Sequence, residues 1–317
     1  MITSRLNVSC VNTACASRKA AARITGIEMT RIQPPRFFLF AFFAASLVLT
    51  GCAGVVNRAT QRLADDLSAG ILDQDDLATA REGVPAWLLL IDGLIQGSPQ
   101  NANLLIAGSR LYDSYASAFV DDPARAKRLT ARSFGYARRA TCVKLVALCQ
   151  QLDAPFDVFA AEVAKVGVKD TAMLYQLASS WAGRLQANSE DWKAIADLPK
   201  VQVLVEHVVM LDSTYANGEP YMILGVLATL RPASLGGKPE EGKAYFEKSL
   251  ALSGGNNQMV RVLYAEHYAR LVFDQALHDK LLNEVIAADP HAPRLTLINT
   301  VAQMRARKLL DSGKDYF

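Results

Sequence analysis

The sequence predicts an all-α protein built as a solenoid of helical hairpins. Three observations carry this. Alanine, leucine, lysine, arginine and glutamate fill the periodic segments, and no regular two-residue alternation appears. After residue 51, prolines recur at Pro85, Pro99, Pro123, Pro155, Pro199, Pro220, Pro232, Pro239, Pro290 and Pro293. Proline is tolerated in a helix's first turn and disfavoured inside it, so this spacing predicts short helices joined by tight turns. Two half-patterns also recur in a consistent order.

The first element is an apolar run from Phe37 to Thr50, preceded by Arg31 and Arg36 and ending in Leu49-Thr50-Gly51-Cys52. It is about 14 residues long, short of the roughly 20 that span a bilayer. Basic flank, short apolar core, small residues and then cysteine resemble the lipobox of a bacterial lipoprotein signal. Gly51 is small, as a peptidase needs beside its scissile bond, and Cys52 offers the thiol that a lipidating enzyme requires. Residues 1–51 are therefore expected to be a cleaved lipoprotein signal peptide. Cys52 is the expected lipid attachment site, and acyl chains tether the body to a membrane. The body then lies in the periplasm, an oxidising compartment. Ala53 rather than Asp follows Cys52, which in lipoprotein sorting favours the outer membrane. Residues 1–28 are polar and basic with no apolar core, so translation is expected to begin at Met29.

The stated net charge of +3 belongs to the leader. Residues 1–51 hold six basic residues against Glu28, a net of +5, and their removal leaves −2. The mature body is not basic, and no nucleic-acid partner is expected.

Residues 52–74 carry Val55, Val56, Leu63, Leu67, Ile71 and Leu72 at roughly helical spacing and are read as a tether or N-terminal helix. Residues 75–317 are read as the repeat domain. One half-pattern is a first helix, large-x-x-large-small-x-x-large, at Leu104 to Leu111, Leu174 to Trp181 and Tyr221 to Ala228. Its small residue lets a neighbouring helix approach closely. The other is a second helix ending in apolar residues and a turn at Asp212, Ser253 and Asp289. Those turns lie 41 and 36 positions apart, near the 34-residue tetratricopeptide period with insertions. Val201 to Val209 is the best strand candidate, yet Pro199 before it supports a helix start. The fold expected is a tetratricopeptide-like helical-hairpin solenoid.

One segment is more specific. It runs Gly218-Glu219-Pro220-Tyr221-Met222-Ile223-Leu224-Gly225, then Arg231-Pro232-Ala233-Ser234-Leu235-Gly236-Gly237-Lys238-Pro239-Glu240, then Gly242-Lys243-Ala244-Tyr245-Phe246-Glu247-Lys248. With the lipobox and Pro85-Ala86-Trp87-Leu88-Leu89-Leu90, it resembles the TatT family, the T-component of tripartite ATP-independent periplasmic (TRAP) transporters. The resemblance implies a periplasmic lipoprotein of tetratricopeptide-like repeats that partners the solute-binding protein of a TRAP system. It also implies a homotrimer with apolar cavities or a pore, and passage or presentation of a small hydrophobic ligand. A general tetratricopeptide lipoprotein scaffold in cell-envelope assembly is the alternative. In the loop itself, Gly236-Gly237 can take positive φ and turn the chain, Pro239 suits a helix start, and Glu240-Glu241 suit its positive end.

No nucleophile, phosphate-loop, dinucleotide or metal-protease motif is present, so no enzyme, cofactor or metal is expected. His207, His267, His278 and His291 are scattered, with His207 expected on a polar face and His267 packed in the core. Tyr112, Tyr115 and Phe119 share one helix face, as do Tyr264 and Tyr268. Such stripes ordinarily pack in a core. In a solenoid they can also line an inner surface, so these five are the candidate cavity residues. Residues 123–144 form a basic stretch, a solvated helix face or a dock for an acidic partner or anionic lipid. Cys142 and Cys149 are a candidate disulfide. Seven residues of unbroken helix would separate them by about 10.5 Å, beyond the roughly 7 Å that a bridge allows. A bridge therefore requires the helix to break, and the spacing admits both bridge and free thiols.

Overall fold

Capped starts and abrupt breaks divide the chain into helices, as the computed structural model, which describes residues 69–317, makes plain. The leader, Met29, Cys52 and the tether up to residue 68 lie outside the described residues. A helical turn at 69–72 precedes thirteen α-helices, and no strand occurs among the described residues. They are α1 (Leu77–Gly97), α2 (Ala102–Phe119), α3 (Pro123–Lys144), α4 (Val146–Gln151), α5 (Phe156–Val163), α6 (Thr171–Ala187) and α7 (Trp192–Ile195). Then follow α8 (Leu198–Leu211), α9 (Glu219–Ala228), α10 (Pro239–Leu252), α11 (Gln258–Leu263), α12 (Gln275–Ala287) and α13 (Thr296–Tyr316).

Side chains start the helices. Asp76, Asn101, Asp122, Asn257 and Asp274 each accept a backbone N–H of the first turn of α1, α2, α3, α11 and α12. Pro123, Pro199, Pro220 and Pro239 occupy first-turn positions, so Val201 to Val209 is helix and not strand. Pro85 departs from that rule and sits inside α1. Helix ends fall beside the expected turns: α8 is capped by Asp212 and α10 by Ser253, and Asp289 follows the cap of α12.

Packing is chiefly between helices near in sequence: α2 on α3, α3 on α6, α6 on α8, and α9 on α10. Small residues set those spacings. A Cβ on Gly108 of α2 would lie 3.1 Å from Tyr136 Cδ2 of α3, and one on Gly225 of α9 would lie 2.7 Å from Phe246 Cε1 of α10. One core cluster joins α3 to α6, α8 and α9 around Phe159, Trp181 and Leu204. A second joins α1 and α2 with α10 to α13. The start of the body also meets its end. Asp73 accepts the Arg294 N–H, Asp75 lies 3.4 Å from His291 Nε2, and α1 touches α13.

Candidate functional site

The five aromatic residues singled out in the sequence share the second core cluster, and all are buried. Their hydroxyls are bonded. Tyr112 donates to Asp92 at 2.8 Å, Tyr264 to Glu247 at 3.4 Å and Tyr268 to Glu240 at 2.9 Å. Burial raises the pKa of Tyr112, Tyr264 and Tyr268. Tyr264 and Tyr268 lie on a π-helical turn, Tyr264–Ala269, that continues α11. Cys142 and Cys149 are disulfide-bonded, their Cα atoms 4.8 Å apart, because α3 ends at Lys144 and Leu145 leaves helical geometry. His207 is a correction: it is buried, with Nε2 2.8 Å from the Val166 carbonyl oxygen, and not on a polar face. His267 is half-buried, and burial lowers its pKa, aided by Arg305 and opposed by Glu266.

A different set of polar side chains converges where α2, α6 and the start of α9 meet. Arg110 and Asp113 stand three residues apart on α2. Tyr175, Gln176 and Ser179 come from α6, and Tyr215 and Glu219 from the entry to α9. Tyr175 donates to Glu219 Oε2 at 3.0 Å, and its ring meets that of Tyr215 edge-on at 5.3 Å. Arg110 Nε donates to Gln176 Oε1 at 3.1 Å. Ser179 donates to Asp113 Oδ2 at 2.9 Å. A Cβ on Gly183 would fall 2.6 Å from Asp113 Oδ1, so the missing side chain makes room for the carboxyl.

The enclosure is electrostatically strong. Burial pushes the Asp113 carboxyl up to about 6, against the opposing bond from Ser179. Burial also raises Glu219, against Tyr175 and Arg110, and raises Tyr175 and Tyr215. Yet Asp113, Tyr175, Tyr215 and Glu219 all keep partial solvent exposure. They form a partly exposed polar cluster between helices.

Glu219 also borders a hollow of about 170 Å³, with Asn217, Ser253, Asn256 and Asn257 on its wall. Its backbone is strained. Ala216, Asn217 and Gly218 take φ of 48°, 52° and 89°, three successive left-handed residues. Gly218 is also required for close approach, since a Cβ there would lie 2.9 Å from Leu252 Cβ.

Chemically, the cluster brings together two carboxyls whose pKa burial raises, a guanidinium and two phenols. Ser179 bonds Asp113 directly, with no imidazole between them, so it lacks the base that activates a serine nucleophile. No group of three potential metal ligands occurs among the described residues. Sequence reasoning missed Arg110, Asp113, Tyr175, Ser179, Tyr215 and Glu219. The available signal was polar residues at positions i and i+3 or i+4 within apolar helices; the partners described for each lie 40 or more residues away.

These features define the class: an all-helical body with a polar cluster between its helices and no described helix long and apolar enough to cross a membrane. A family model for the TRAP transporter T-component matches residues 73–317, spanning all thirteen helices. The chain belongs to the TRAP transporter T-component family, a family of transport components. It is also similar to a protein of Treponema pallidum (strain Nichols) described as uncharacterized. The two are 24% identical over 282 residues, 80% of this chain and 84% of that one.

Proposed function

We propose that this chain is a lipid-anchored periplasmic adaptor that works beside the solute-binding protein of a TRAP transport system. The family match across residues 73–317 carries the reading. Cys52 holds the acyl chains after residues 1–51 are removed, translation starts at Met29, and Ala53 directs the protein to the outer membrane. The helices act as a tetratricopeptide-like solenoid, a reading supported by helices packing on near neighbours across Gly108 and Gly225. The working unit is a homotrimer. Its ligand is small and largely hydrophobic. The rings of Tyr112, Tyr115, Phe119, Tyr264 and Tyr268 form rigid backing, and the hollow beside Glu219 gives the ligand orientation.

Cross-linking and pull-down from the cell envelope, followed by native mass spectrometry, tests this. The expected product is a complex with a TRAP solute-binding protein, carrying acyl chains on Cys52. Recovery with outer-membrane assembly machinery alone would establish the scaffold role instead.

A further inference from the structure

We infer that the outer faces of α1 and α3 form one docking surface for an anionic lipid bilayer. The inference rests on the lipid-anchored reading for the body's location, and on described residues for the surface.

The outward side of α1 is unusually apolar. Leu89, Leu90 and Leu94 are 74%, 49% and 48% exposed. Between them and beside them the exposed positions are Ala86, Gly93, Gln96 and Gly97, all uncharged, and the nearest exposed acid on this face is Glu82, one turn before Ala86. A solvated helix normally places charged residues there, and a contiguous apolar face marks a contact surface.

The neighbouring helix supplies the opposite chemistry. α3 carries seven lysines and arginines and no carboxylate. Arg125, Arg128, Arg132 and Arg139 recur at spacings of three, four and seven, which places them in one stripe. All four are exposed. The stripe runs beside α1, since Arg132 pairs with Asp92 at 2.6 Å and Arg139 donates to the Pro99 carbonyl at 3.0 Å.

The arginines are also held in place. Arg125 stacks over Tyr115 at 5.4 Å, Arg132 over Tyr112 at 5.6 Å and Arg139 over Tyr136 at 5.7 Å. Planar guanidiniums fixed this way suit phosphate oxygens. Arginines for headgroup phosphates beside leucines for the acyl boundary match a lipid interface. Chain direction agrees. α1 is the first of the described α-helices, on the side of the chain that leads back to Cys52.

The test uses the acylated protein in vesicles, with an environment-sensitive label on Leu90→Cys and, as a control, on Trp192→Cys, a position 83% exposed on α7. On bilayers containing phosphatidylglycerol, the label at 90 should shift to the blue and be quenched by brominated lipid; the label at 192 should not. Arg128→Glu with Arg139→Glu should weaken that contact at least roughly tenfold, as should high salt. Both side chains are exposed, and circular dichroism checks folding. Flotation after a high-salt wash reports the acyl anchor separately, and the label reports the face whether or not the anchor holds. A label at 90 that stays in water on anionic bilayers overturns the proposal. So does shielding that appears only when the solute-binding protein is added, which would assign the face to a protein.

Discussion

The Tyr115 hydroxyl donates to the Arg81 carbonyl oxygen at 3.3 Å. Pro85 stands four residues after Arg81 inside α1 and has no N–H to give that carbonyl. The tyrosine of α2 therefore satisfies the acceptor that the proline orphans. Tyr115→Phe should lower stability by about 1 kcal/mol, the net worth of one part-buried hydrogen bond. Pro85→Ala restores the helical donor, so Tyr115→Phe should matter less in that background. Urea midpoints of the four proteins measure this. An equal loss in both backgrounds would show that the hydroxyl does not serve Arg81.

Asp113 gives a pH signature. Its carboxyl moves from an ordinary 3.8 up to about 6 on folding, because burial disfavours the charged form. The folded state thus binds the proton more tightly than the unfolded chain. Asp113's contribution to stability is present below about pH 4 and is lost as pH rises through about 6. Asp113→Asn removes this dependence while keeping an acceptor for Ser179. Partial exposure reduces the effect, so the variant should be more stable than wild type by roughly 1–2 kcal/mol at pH 7.5 and nearly equal at pH 4. Unfolding across that range checks it; a constant difference would rule out titration of Asp113 as the cause.

The helical class and most helix boundaries were legible because local chemistry decides them. Pro123, Pro199, Pro220 and Pro239 announce helix starts wherever they stand, and Gly108 and Gly225 mark close helix approach in the sequence itself. Pro85 was misleading, because only a distant hydroxyl makes an internal proline tolerable. The polar cluster was not legible. Asp113 and Glu219 look like ordinary surface acids until Ser179 and Tyr175 arrive from another helix. The aromatic and basic stretches were read separately, yet Tyr112 and Tyr115 support Arg132 and Arg125. That relationship is three-dimensional, and periodicity on one helix contains nothing of it.

The two glycines of the Gly236-Gly237 loop differ in kind. Gly236 has φ 78° with open space around it, so its glycine serves conformation alone. Gly237 does not take positive φ; a Cβ there would lie 1.7 Å from the Arg231 carbonyl oxygen. Gly236→Ala should therefore lose about 1 kcal/mol from the left-handed backbone. Gly237→Ala must displace main chain and should lose more, about 2–4 kcal/mol. Denaturant midpoints give the order, and a larger loss at Gly236 would contradict it.

The break at Leu145 brings Cys142 and Cys149 within bonding distance across an eight-residue loop. Its backbone takes φ −122° and ψ 64°, while its N–H still bonds the Thr141 carbonyl. α4 then starts at once and its Leu148 is buried in the core. Closing so short a loop restricts the unfolded chain by roughly 2 kcal/mol. Protein taken from the envelope and alkylated before reduction should show neither cysteine modified. Replacing both by serine should lower stability by about that amount. The helix break itself should survive, because Leu148 anchors α4 independently of sulfur; unchanged hydrogen-exchange protection in α4 would verify it. Alkylation of both thiols in the native protein would show instead that the break exists without the bridge.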